Sequence, residues 1–277
     1  MSAALTRWDG FLAQIEGRHR QVIAEVEAEA RTFIASVAGG GDVAPLSRQL
    51  SAAQSRLQEL EARIDDTWNS TPDDYGRGKV EAAMFAEGLG VPERDRAQAK
   101  GIATRRALED AREELDARLY ATLARQRFAH GLAARRGLFC SGCGASLEAP
   151  IVARALQVSC ACGTRTPFEP GELMRSAAAM GAHAVAQEAA LPQWRAMRAA
   201  QHRHHDVRPP VPLAVIKDYE RSQIAYWRAY LAARAQIEPE MGIDPQKELR
   251  ARMEPYYTSH AEFEEEWVRA GRPREPL

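Results

Sequence analysis

All four cysteines of the 277-residue chain lie between positions 140 and 162. Cys140 and Cys143 form a C-x-x-C pair, and Cys160 and Cys162 form a C-x-C pair. Two thiolates this close in sequence can reach one tetrahedral ion from a tight turn, and two such pairs supply the four ligands of a structural zinc site. A glycine follows each pair, and glycine permits the positive φ that such a turn needs. The spacing therefore predicts one Zn²⁺ per chain, held by these four cysteines.

The predicted ligand set defines what the metal can do. Four thiolates complete a tetrahedral shell and leave no position for a water molecule, so the ion is expected to stabilise the fold and not to catalyse a reaction. Two alternatives are a redox-active or disulfide-forming pair and an iron–sulfur cluster. A thioredoxin-like C-x-x-C needs a βαβ context, and the sequence around these pairs does not have that pattern.

The residues around the cysteines also resemble a known module. LFCSGCGASLEAP followed by QVSCACGTRTPFEP resembles the paired knuckles of zinc ribbons, which implies a short strand near each knuckle. The second pair departs from the ribbon pattern, because most ribbons have C-x-x-C there. The combination of a helical hairpin and a four-cysteine ribbon is also similar to the architecture of coiled-coil zinc-ribbon proteins. They resemble more weakly the DksA/TraR type of RNA-polymerase regulator, whose acidic coiled-coil tip is reduced here to Asp42.

A second cluster of potential ligands is the run HRHHD, from His202 to Asp206. His202 and Asp206 are four positions apart and could share one helix face, as metal ligands do. The alternative interpretation is that these side chains are cationic groups near a helix C-terminus, where they complement the helix dipole.

The elements that would position these residues are mainly helical. Apolar residues recur at three- and four-residue steps from Leu5 to Val37, which predicts an amphipathic helix that ends at the following glycine run. Asp42 can cap a second helix that ends near Trp68. Its apolar seam has nearly heptad spacing, and seams of this kind pair with another helix within the chain or in a second copy. The seam residues are Leu46, Leu50, Ala53, Leu57, Leu60 and Ile64.

Further helices are expected on both sides of the cysteines. A turn-rich break at 69–78 precedes a short helix at 79–87 and a long helix at 93–135. Beyond the cysteine segment, Pro192 is expected to kink or restart a helix over 171–206. Asp244 and Pro245 suit the cap and first position of a later helix. Ser259 and Glu262 predict a capping box for the last helix.

Together these patterns predict a mainly α fold. We expect an elongated helical hairpin or bundle with a small inserted β zinc ribbon and C-terminal helices. The predicted divisions are a helical coiled-coil region at 1–136, the ribbon at 137–170 and a C-terminal helical region at 171–277.

Composition restricts the classes of function. The net charge of −1 argues against a dedicated nucleic-acid-binding protein, which usually has a basic surplus. A local basic patch remains on the ribbon, formed by Arg135, Arg136, Arg154 and Arg165. The sequence has no run of 18 apolar residues and no apolar stretch near its start, so we expect a cytoplasmic protein without a membrane partner. Its many arginines and alanines are compatible with a bacterial source.

The leading functional prediction is a non-enzymatic zinc-ribbon helical protein that acts as a protein-interaction or scaffold module. We therefore expect protein partners, and the helical region could also form a homo-oligomer. One alternative is a transcription-associated regulator that contacts nucleic acid or RNA polymerase through the ribbon. The other is a metal-dependent enzyme that uses the His202–Asp206 run.

Overall fold

A computed structural model describes residues 2–70, 78–135, 137–149, 151–238, 244–261 and 264–277. Its elements confirm the predicted mainly α fold class with a small β insertion. The helices are α1 (Ala3–Val37), α2 (Ala44–Asn69), α3 (Lys79–Ala86), α4 (Val91–Ala134), α5 (Glu172–Ala189), α6 (Leu191–Asp206), α7 (Leu213–Ile237), α8 (Pro245–His260) and α9 (Glu265–Arg269). The strands are β1 (Leu156–Ser159) and β2 (Arg165–Phe168). Most of the predicted break at 69–78, together with Arg136 and Glu262, lies outside the described residues.

The chain divides into two compact units. The first consists of residues 1–33 and 42–116, and the second of residues 34–41 and 117–277. Helices α1 and α4 therefore contribute residues to both units. The three-part division at 1–136, 137–170 and 171–277 stays a prediction.

The first unit has an apolar core with an aromatic end. Trp8 lies edge-on to Trp68 with ring centroids 5.2 Å apart, and its indole N–H donates to the carbonyl of Ala97 at 2.9 Å. This bond satisfies the polar atom of a side chain that is otherwise fully buried. Other members of the core are Leu12, Ile15, Ile64, Met84 and Leu108.

The buried face of α2 differs from the predicted seam at one step. The seam continues from Leu57 to Glu61 and Ile64, whereas Leu60 is only partly buried. Leu60 still packs against the core, but Glu61 beside it is more deeply buried, because Arg112 and His19 bind its carboxylate.

Glu61 belongs to a buried polar layer in the first unit. His19 Nε2 lies 3.3 Å from its Oε1, and Arg112 Nε donates to both carboxylate oxygens at 2.8 and 3.1 Å. Arg112 also donates to the Oε1 of Gln54 at 2.9 Å. Burial raises the pKa of Glu61, but the hydrogen bonds with His19 and Arg112 together lower it by more. The resulting pKa lies below its ordinary value.

The second unit has an aromatic core built around α7. Tyr219, Tyr226 and Tyr230 of α7 pack with residues of α6 and α8, and Trp267 of α9 is buried among them. The phenol of Tyr257 donates to the buried Glu220 carboxylate at 2.9 Å. Within the described residues, no helix combines the length and the apolar character needed to cross a lipid bilayer.

The helix boundaries of this unit test three sequence predictions. Pro192 restarts the chain as α6 after a break at Ala190, and the Asp244 carboxylate caps α8 by accepting from the backbone N–H groups of Gln246 and Lys247. The predicted capping role of Ser259 is wrong. Ser259 lies inside α8, and its hydroxyl donates to the carbonyl of Tyr256, because the buried Tyr256 and Tyr257 extend that helix to His260.

Candidate metal centre

Two tight turns place the four cysteines. In the first turn Gly144 N–H donates to the carbonyl of Cys140 at 3.0 Å, and in the second Gly163 N–H donates to that of Cys160 at 2.9 Å. Gly144 and Gly163 have φ values of +73° and +87°, as the sequence predicted. A side chain would strain the backbone in this region, so glycine is the residue that closes each turn at low cost.

The second turn lies between the two strands of the small sheet. β1 and β2 pair antiparallel, with Leu156 opposite Phe168 and Ser159 opposite Arg165. The first turn is closed by a short bridge between Phe139 and Ser146. Each C-x-C or C-x-x-C pair is therefore held at the end of an antiparallel backbone pairing.

The sulfur atoms lie together at a spacing that suits a single ion. The Sγ atoms of Cys140 and Cys162 are 3.6 Å apart, and so are those of Cys143 and Cys160. All four Sγ atoms lie within 4.8 Å of one another. Zinc–sulfur bonds of about 2.3 Å in tetrahedral geometry put sulfurs about 3.8 Å apart, whereas a disulfide needs about 2.0 Å. The four cysteines are thus free of disulfide bonds and close enough together to bind one metal ion.

Hydrogen bonds from the turns favour charge on two of the sulfurs. Backbone N–H groups of Cys143 and Gly142 lower the pKa of Cys140 to about 6. The hydroxyl and the backbone N–H of Thr164 lower the pKa of Cys162. Both turns therefore favour the thiolate form, which a cation would stabilise further.

Cys160 shows the electrostatic cost of packing four sulfurs together. The backbone N–H of Cys162 lowers the pKa of Cys160, but the thiols of Cys162, Cys140 and Cys143 together with burial raise it to about 12. Like charges at this distance oppose ionisation, and a divalent cation reverses that balance by ionising coordinating thiols. The chemistry of the donor set therefore fits a metal ion.

Threonine side chains brace the first turn against the second strand. The Thr166 hydroxyl accepts from the backbone N–H of Ser141 at 3.1 Å. A methyl group on Gly142 would lie 2.3 Å from the Thr164 hydroxyl, so the two turns approach each other too closely for a larger residue. These contacts fix the relative position of the two cysteine pairs.

A small apolar cluster supports the segment 137–170 that holds the cysteines, called here the cysteine module. Val152 and Phe168 of the module are buried against Phe128 of α4 and Met174 of α5, and the Phe128 and Phe168 rings are 6.4 Å apart. Beside this cluster Phe139 leaves 55% of its surface exposed next to Cys140. The module is therefore anchored to α4 and α5, and the side chain of Phe139 is largely exposed.

Comparison of the chain with protein-family models, with curated proteins and with solved structures gives no match.

The His202–Asp206 run lies at the end of α6 and contributes one residue to a second group. His204 is buried and lies with His260, the last residue of α8, and Glu264, which precedes α9. One potential ligand atom from each of these three residues lies within 4.8 Å of the others. Neither His202 nor Asp206 belongs to this group, and a metal site that uses those two residues stays a prediction.

Sequence reasoning did not identify His260 and Glu264 as partners of His204. They lie 56 and 60 positions beyond it, counted as 260 − 204 and 264 − 204. No spacing rule joins residues that far apart. The only available signal was the histidine-rich run itself.

Proposed function

We propose that the chain is a non-enzymatic interaction protein whose cysteine module is a zinc ribbon with a structural role. The observation that carries the proposal is the position of the four sulfurs on two glycine-closed turns. The Sγ atoms of Cys140 and Cys162 are 3.6 Å apart across the turns, and so are those of Cys143 and Cys160. Four thiolates form a closed shell for zinc, and soft sulfur ligands favour zinc over hard cations such as Mg²⁺.

The proposed role of the ion is to hold the interacting surface in shape. The module has only a two-stranded sheet and a short bridge, and a sheet of this size is marginally stable in water without further support. Metal binding in such modules is coupled to folding. An ion at the four cysteines would therefore hold Phe139 and its surroundings in one conformation.

Phe139 is the proposed centre of the protein-binding surface. Exposed aromatic side chains are enriched at the centres of interfaces, because they bury a large apolar area with little loss of conformational freedom. The exposed Arg135 and Arg165 flank the cysteine pairs in sequence. They would favour a partner that combines an apolar pocket with acidic groups at its edge.

The same arginines support a second candidate, a regulator that contacts nucleic acid or RNA polymerase in the cytoplasm. A gel-shift at about 150 mM salt distinguishes the two, because weak contacts with phosphate are lost steeply as salt rises. A retained complex that Arg165→Ala weakens would favour this second candidate.

The experiment for the leading proposal measures metal content and partner capture on the same variants. Elemental analysis of purified protein should find zinc, and Cys160→Ser should lose one equivalent per chain because a ligand is removed. In pull-downs from the native host, Phe139→Ser and Cys160→Ser should both lose a partner that the unchanged protein captures.

Two matched controls accompany these variants. Ser159→Ala changes the exposed neighbour of Cys160, and Phe85→Ser removes an aromatic side chain that is 51% exposed in the first unit. Both should keep the zinc and the partner. Protein without zinc or iron would contradict the metal site, and capture that Phe139→Ser leaves unchanged would contradict the proposed surface.

A further inference from the structure

Three side chains from separate helical segments meet in the second unit. His204 Nε2 lies 2.7 Å from Glu264 Oε1, and the rings of His204 and His260 have centroids 5.4 Å apart. The side chains of His204 and Glu264 are only 8% and 7% exposed. Buried polar groups of this kind are expected to have all their hydrogen-bonding atoms partnered.

Two atoms of this group do not meet that expectation. His204 Nδ1 and Glu264 Oε2 are buried, and within the described part of the chain neither has a hydrogen-bond partner. A buried polar atom left in this state costs roughly 1–3 kcal/mol. A bound ligand would give this nitrogen and this carboxylate oxygen a partner.

The third member has the tautomer that a metal ligand requires. His260 Nδ1 lies 2.8 Å from the carbonyl oxygen of Tyr256, which can only accept, so this nitrogen carries the proton and donates. The Ser259 hydroxyl also lies 3.0 Å from this nitrogen. Nε2 of His260 is left with a lone pair. Histidines that bind metals commonly donate their other ring N–H to a carbonyl in this way.

We propose that His204, His260 and Glu264 form a second metal site for a divalent transition-metal ion, independent of the four cysteines. Two imidazoles and one carboxylate are the donor set of many zinc and non-haem iron sites. Ligand atoms bound to one ion at about 2.0–2.1 Å lie about 3–4 Å apart. The observed spread of up to 4.8 Å is therefore closed by small side-chain rotations.

The surroundings of the three residues are aromatic. The ring of Tyr256 lies 4.2 Å from that of His260, and Tyr219 lies 5.4 Å from His204. Such walls lower the local dielectric and strengthen the attraction between Glu264 and a cation. With three protein ligands the ion would keep an open coordination position, unlike an ion held by four thiolates.

Zinc alone is the probe for this site. The 277-residue chain with its cysteine site already filled should take up about one further equivalent of zinc in equilibrium dialysis, measured by elemental analysis. His260→Gln should abolish that second equivalent and leave the first. The melting temperature of the unchanged protein should rise with added zinc, and that of His260→Gln should not, because only the folded state binds the ion.

A matched control separates the site from general binding by histidines. His202→Gln removes a histidine of the same helix that is not in the group, and it should keep both equivalents. If His260→Gln misfolds by circular dichroism, Glu264→Gln replaces it, since its amide can still hydrogen-bond to His204. Uptake of a single equivalent by the unchanged protein, or two equivalents in a folded His260→Gln or Glu264→Gln, would overturn the proposal.

Discussion

At the scale of single residues, the chain places polar groups in two very different environments. The four cysteines lie in a small module, where Cys140 is buried, Cys160 is partly buried, and Cys143 and Cys162 are exposed. Glu61 and His19 instead lie inside a helical core, with exposed fractions of 4% and 0%. The chemistry of the first group follows from local spacing, and that of the second follows from what the fold packs around it.

Glu61 gives a prediction with a defined dependence on pH. Its folded-state pKa lies below its ordinary value of 4.5. The stability that it contributes is therefore fully present above that value and is lost as the pH falls through the folded-state pKa. Glu61→Gln should cost about 2 kcal/mol in the free energy of unfolding near neutral pH, because the charge-assisted hydrogen bonds from Arg112 and His19 are weakened.

Urea denaturation across this range of pH measures the effect. The difference between the unchanged protein and Glu61→Gln should shrink as the pH falls below 4.5. Glu59→Gln, an exposed carboxylate two positions away, should show no comparable loss. A difference that stayed constant with pH would mean that ionised Glu61 does not stabilise the core.

At the scale of elements, α2 shows how a helix chooses its buried face. The spacing of its apolar residues identified Leu46, Leu50, Ala53, Leu57 and Ile64 correctly. Between Leu57 and Ile64, the charged Glu61 is more deeply buried than the apolar Leu60, because Arg112 and His19 bind its carboxylate. A buried carboxylate is tolerated where such partners are present and is strongly unfavourable elsewhere.

Two leucines three positions apart on α2 test this register. Leu57 is 0% exposed, whereas Leu60 is only partly buried, so truncation should have unequal effects. Leu57→Ala should destabilise the protein by about 3 kcal/mol, and Leu60→Ala by about 1 kcal/mol. Chemical denaturation followed by circular dichroism measures both. Equal losses would support the strict heptad seam instead.

At the scale of the whole molecule, the two units have separate hydrophobic cores. The cluster around Trp8, Leu12 and Ile64 shares no residue with the cluster around Phe128, Phe168 and Met174. The cysteine module contributes only to the latter of these two clusters. Order in the module and order in the first unit should therefore respond differently to loss of the metal.

Cys160→Ser tests this difference by hydrogen exchange. Structural zinc in small modules contributes on the order of 10 kcal/mol or more to folding, so residues 137–170 should lose most of their protection. The apolar faces of the long helices remain buried, so the core around Trp8 should keep its protection and most helicity should persist. The matched variant is Ser159→Ala. Full protection of 137–170 in Cys160→Ser would show that the module does not depend on an ion.

Local patterns determined much of this structure. The helical periodicity predicted the long helices, and the closely spaced cysteines with their glycines predicted the two turns, because each pattern involves residues a few positions apart. The predicted cap at Asp244 was likewise correct, since its carboxylate needs only the backbone N–H groups two and three positions later. Interactions of this kind form within one element and need no knowledge of its neighbours.

Tertiary structure alone decided the rest. It selected Glu61 over Leu60 for the buried face of α2, because the preference depends on Arg112, which lies 51 positions away. It also brought His204 to His260 and Glu264, whereas the sequence pattern pointed to His202 and Asp206. The physical reason is the same in both cases: the free energy of burying a polar side chain is set by the groups that surround it, and packing between distant helices supplies those groups.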